Sequence, residues 1–158
     1  MINVKNKGFT LIEVLVAMVL LSLGLMGVAA LQMESMRSTQ NAQTRARAVI
    51  LAADIAERMR TNRGAALAGA YVTDGEDGAN QNCTDDLEGG PTVVCTPVLM
   101  ADHDLWQWRE NLNSPLTGLP GDAVGTIASD AAPVPTFTIE IAWQEKGEDL
   151  SYSLVVQL

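Results

Sequence analysis

Residues 14–31 form eighteen consecutive positions without a charged side chain, and a carboxylate, Glu13, stands at their head. At about 1.5 Å of helical rise per residue this run nearly spans a hydrocarbon core of roughly 30 Å, and adding residues 9–12 completes the span with Glu13 inside it. An ionised side chain at membrane depth costs about 2.5 to 3.5 kcal/mol on insertion scales, so an acid there points to a function and to a cationic partner. Lys5 and Lys7 are the only cations before the run. Positive flanks stay cytoplasmic, which places the amino end inside and the rest of the chain on the periplasmic or outer side.

The stretch Lys7-Gly8-Phe9-Thr10-Leu11-Ile12-Glu13 resembles the processing site of type IV prepilins and of their type II secretion relatives. The resemblance implies cleavage after Gly8 by a membrane peptidase and methylation of the new terminus, Phe9. It also implies a partner for Glu13, the N-terminal amine of a neighbouring subunit. A methylated amine remains cationic, and an ion pair in low dielectric is stabilising only when both partners are present and well placed, so Glu13 acts as a registry device. An ordinary secretory signal peptide with a site near Val28-Ala29-Ala30 has a shorter apolar region and no glutamate. A plain signal anchor explains neither Gly8 nor Glu13.

The chain carries 10 basic and 19 acidic residues, and loss of the leader with Lys5 and Lys7 moves the balance from −9 to −11. Beyond Arg63 only Arg109 and Lys146 are cationic. Direct nucleic-acid binding, which needs clustered Lys and Arg, is not expected. Cys83 and Cys95 lie in a polar, turn-rich stretch on the oxidising side of the membrane and are read as a disulfide. A Cys-based metal site lacks ligands, because no other Cys exists and His103 is the sole His.

Residues 32–63 contain no proline and continue as an amphipathic helix, with Val49, Ala52, Ala53, Ala56 and Met59 on one face. Asn62-Arg63-Gly64 ends it. Gly24 and Gly27 allow close helix approach in the membrane half, and Ala30 stands in the region where many major pilins carry proline. Residues 64–96 read as loop, with turns at Asp74-Gly75, Asp77-Gly78 and Gly89-Gly90-Pro91. Their acids, Asp74, Glu76, Asp77, Asp85, Asp86 and Glu88, do not have EF-hand spacing and read as a solvated loop.

Asp102 is expected to cap a short helix reaching about Asn113, with Leu105, Trp108 and Leu112 on one face. His103 beside Asp102 and Asp104 has no accompanying nucleophile motif, so no enzymatic activity, metal or cofactor is expected. Phe137, Ile139, Ile141 and Trp143 alternate with polar residues, as do Tyr152, Leu154, Val156 and Leu158, which predicts two strands joined through residues 144–149. A third strand is expected around residues 92–100.

The expected fold is α+β: a long N-terminal helix packed on a small antiparallel sheet. Its divisions are a leader at 1–8, a transmembrane and assembly helix at 9–31, an amphipathic continuation at 32–63, and a periplasmic globular part at 64–158. Residues 56–63, 108–120 and 139–145 resemble the minor pilin family called type IV pilus modification protein PilV. This resemblance implies a low-abundance subunit, held in the inner membrane before assembly, that contacts other major and minor pilins and supports adhesion or twitching. The alternatives are a minor pseudopilin of type II secretion and an adhesive tip module using Trp106, Trp108 and the 64–96 loop; exposed indoles favour the last, buried ones do not.

Overall fold

The computed structural model describes residues 8, 10–83, 94–130 and 134–158. The chain divides into two compact units, residues 1–42 and 43–158. Helix α1 (Leu11–Thr61) supplies the described body of the first unit and enters the second. In the first unit every described side chain of α1 is exposed, so among the described residues this stretch has no apolar partner.

In the second unit α1 buries Ala48, Ala52, Ile55, Ala56 and Met59. The face is rotated from the expected one: Val49 is 42% exposed and Ala53 is exposed, while Ala48 and Ile55 take their places. Close approach decides the phase. Three alanines at a spacing of four let neighbouring elements reach the helix backbone, where Trp108 Nε1 donates to the Leu51 carbonyl at 2.9 Å. α1 ends at Thr61, and Asn62 (φ −105°, ψ 45°) breaks it; the chain then forms a second short helix, α2 (Arg63–Leu67), where loop was expected.

Helix α3 (Pro97–Leu112) has its N-cap at Thr96, six residues before the expected cap Asp102, and occupies residues 97–100, where a strand was expected. The cause is local. Thr96 is the N-cap, its hydroxyl accepting from the Leu99 amide at 3.3 Å, and Pro97 is pre-set for the first helical turn. Residues 94–96 of the expected strand belong to no regular element, and residues 92 and 93 lie outside the described residues. Leu105, Trp108 and Leu112 are buried on one face, as their spacing predicts.

The third strand is instead β1 (Val124–Asp130), followed by β2 (Thr136–Glu145) and β3 (Glu148–Gln157) in an antiparallel sheet of order β1-β2-β3. Phe137, Ile139, Ile141 and Trp143 turn inward and the residues between them turn out. The β2–β3 connection is tighter than expected: Glu145 pairs with Glu148, leaving only Lys146 (φ 54°) and Gly147 (φ 85°) as a two-residue turn. Left-handed conformations at both positions match the twist of the flanking strands. The fold is α+β, with a long N-terminal helix and a small three-stranded antiparallel sheet. One apolar core in the second unit joins α1, α2, α3 and the sheet.

Candidate functional site

Glu13 lies in the first turn of α1 and is exposed, its amide bonded to the Thr10 carbonyl at 3.1 Å. The positive end of the helix dipole favours a carboxylate there. The helix contains an 18-residue window of mean hydropathy 2.6 of which nothing is buried, so it is long and apolar enough to cross a membrane. Gly8 is exposed and has open space around its Cα. Lys5, Lys7 and Phe9 lie outside the described residues.

In the second unit the Cys83–Cys95 disulfide is formed, with the Cα atoms 5.6 Å apart. The segment before it runs as a strap along α3. Arg109 donates to the carbonyls of Glu76 at 2.8 Å and Gly78 at 3.3 Å, and the Gln81 amide donates to His103 Nδ1 at 3.4 Å. Gly78 (φ +105°) is required by contact as well as conformation, since a Cβ there would stand 2.4 Å from the Trp106 amide nitrogen. Of the acids in the 64–96 stretch, Asp85, Asp86 and Glu88 lie outside the described residues. Among the described residues no group of three or more His, Cys, Asp or Glu is placed to hold a metal ion.

His103 is buried and stacks on Trp106 with ring centroids 5.4 Å apart. Trp108 is 2% exposed and belongs to the core, so it offers no recognition surface; Trp106 is half-buried. Gly125 on β1 receives the Trp108 ring so closely that a Cβ would lie 2.4 Å from Cη2.

A polar cluster that sequence reasoning missed ties α1 to α3. Arg58 donates from Nε to Asp54 at 3.0 Å, and from Nη1 to Asp104 at 3.0 Å and to Gln107 at 2.6 Å. Tyr71 Oη donates to the other Asp104 oxygen at 2.5 Å, and Asn62 Nδ2 donates to Tyr71 Oη at 3.3 Å and to the Pro97 carbonyl at 2.6 Å. Burial first, and then the bond to Asp104, hold the Tyr71 phenol in its neutral form well above the usual range for ionisation. The Asp54–Arg58 spacing of four was the one visible signal. The cluster contains no nucleophile beside a base, and its hydrogen bonds are those of a structural latch.

Two family models match the chain: the prokaryotic N-terminal methylation motif over residues 3–29, and the Tt1218-like family, described as type IV pilin Tt1218, over residues 30–106. They run without a gap from residue 3 through α1 and into α3. The matches support a type IV pilin. Type IV pilins are structural subunits, and the apolar α1 together with the methylation motif supports anchoring in a membrane. Neither the curated proteins nor the solved structures give a match.

Proposed function

We propose that the chain is a minor pilin that takes part in priming and assembly of a type IV pilus and in pilus-dependent adhesion or twitching. The observation that carries this is the coincidence of the methylation motif at residues 3–29 with an apolar helix that exposes Glu13 in its first turn. The peptidase cuts after Gly8 and Phe9 is methylated. The N-terminus begins on the cytoplasmic side, the second unit lies in the periplasm, and assembly carries it to the pilus. Glu13 pairs with the N-terminal amine of the adjoining subunit, since two charges that are costly apart at membrane depth offset one another together. The PilV family is the subfamily whose segments the chain resembles.

The test is the N-terminal residue and mass of the protein from membranes of cells with and without the prepilin peptidase. A chain starting at methylated Phe9 only when the peptidase is present is expected; an intact Met1 or cleavage near residue 31 overturns the reading. Deletion is then expected to reduce surface pili, whereas a defect confined to exoprotein release assigns the chain to a type II secretion filament.

A further inference from the structure

Among the described residues β3 pairs with β2 alone, and no backbone bond joins it to another segment. The two-residue turn fixes which of its backbone groups are free. Glu145 and Glu148 flank that turn and bond each other, and along an antiparallel ladder bonded pairs alternate with unbonded ones. Glu148, Leu150, Tyr152, Leu154 and Val156 thus direct their amides and carbonyls to β2. Those of Asp149, Ser151, Ser153, Val155 and Gln157 point away from the sheet. Edge strands ordinarily deter a further strand with lysine, proline or a bulge. β3 contains neither Lys nor Pro, and its ten residues pair one-to-one with β2 without a bulge. Leu150, Tyr152 and Leu154 are only half-buried against the core, and Val155 is 64% exposed.

Charge along this edge has a direction, and it selects the occupant. Glu148 and Asp149 stand exposed at the first end of β3. At the last end Arg63 of α2, also exposed, donates from Nη2 to the Leu158 carbonyl at 3.1 Å. Laid antiparallel on a second copy of itself and centred on Ser153, β3 sets Asp149 opposite Gln157, Ser151 opposite Val155, and Glu148 opposite Leu158 beside Arg63 of that copy. Leu150 then faces Val156 and Tyr152 faces Leu154, at the unbonded positions where cross-strand side chains come closest. No like charges oppose one another. A displaced centre leaves some of the five outward residues unpaired, and a parallel arrangement brings the two acidic ends together.

We propose that β3 is a homotypic docking edge: two copies of this chain join antiparallel about Ser153 into one continuous sheet, and the two-fold axis closes the contact by using both edges. Residues 64–158 carry fifteen acids against Arg109 and Lys146, so the copies repel at a distance. Salt screens that repulsion over a Debye length of about 8 to 10 Å, and the contact tightens as salt rises. A basic strand from a different chain has the opposite salt dependence.

The test is disulfide trapping with the full chain in detergent, where both native cysteines are already paired. Ser153→Cys is expected to give a crosslinked dimer, since bonded antiparallel pairs have Cα atoms about 5.5 Å apart, within disulfide range. Ser151→Cys and Val155→Cys are each expected to stay monomeric alone and to crosslink when mixed. Adding Ser153→Lys to both members of that mixture sets like charges opposite one another and is expected to lower the yield about fivefold. Glu148→Arg is expected to weaken trapping through position 153, and Glu148→Arg/Arg63→Glu to regain it. No crosslink by Ser153→Cys, equal trapping of the three single variants, or an unchanged yield with Ser153→Lys overturns the proposal. A Ser153→Cys yield that falls as salt rises overturns the choice of a second copy. Trapping is expected whether or not the bond after Gly8 has been cut, so its failure leaves the pilin reading standing.

Discussion

Tyr71 donates its phenol proton to Asp104 across 2.5 Å in the interior, and the same carboxylate bonds Arg58 of α1 on its other oxygen. Tyr71 therefore keeps its proton in the fold at a pH where the unfolded chain releases it. A raised folded-state value gives stability that is fully present below the ordinary tyrosine pKa of about 10 and is lost as pH climbs above it. Urea midpoints measured from pH 8 to 11.5 are expected to fall above about pH 10. Tyr71→Phe is expected to cost about 1 to 2 kcal/mol at pH 7 and to flatten that alkaline decline relative to the parent.

Arg58→Met removes three hydrogen bonds and leaves Asp104 with Tyr71. A loss of about 2 kcal/mol is expected in urea unfolding, less than for a fully enclosed pair because the Arg58 side chain is 24% exposed.

Gly125→Ala places a methyl group against the Trp108 ring. The ring is fixed on its far side by the Leu51 carbonyl, so it has little room to retreat. Thermal unfolding is expected to show a loss of about 1 to 3 kcal/mol, and Trp108→Phe in the same chain is expected to restore part of it by shortening the ring system. Additive losses in the double variant would contradict this account.

Replacing Cys83 and Cys95 by Ser is expected to cost about 3 kcal/mol, the closure entropy of a loop whose ends are 12 residues apart. The strap has its own anchors at Arg109 and His103. Hydrogen exchange is accordingly expected to show the Gln81 amide still protected in the double Ser chain.

Glu13→Val removes the carboxylate without shortening the apolar stretch. Membrane insertion and processing are expected to be intact, and incorporation into filaments to fall steeply; wild-type incorporation would remove the registry role.

The legible parts of this chain were those with local periodic signals. The alternation of Phe137, Ile139, Ile141 and Trp143 marks a strand with one buried face, and the structure buries those four. β1 escaped notice because its inward positions include Gly125, chosen to admit a tryptophan rather than to fill space. The start of α3 is marked by Thr96-Pro97, a cap followed by a proline, although the valines at 93, 94 and 98 favour strand. The rotation of the α1 face shows a further limit: Val49 and Ala53 fit the helical period as well as Ala48 and Ile55, and the choice between them is made by tertiary packing, including the approach of Trp108. For the candidate site, Gly8 and Glu13 stood in a contiguous motif. The bond from Arg58 to Asp104 joins residues 46 positions apart, a separation at which no local spacing rule operates.

The pair of backbone bonds between Thr73 and Ile127, each 3.0 Å, also has a consequence for how this sheet meets other strands. Thr73 occupies the outer flank of β1 at mid-strand, whereas β3 has β2 on one side and, among the described residues, no strand on the other. Lateral growth of the sheet is thereby one-sided: an extended segment from another chain finds a ten-residue ladder of amides and carbonyls along β3 and an obstructed one along β1.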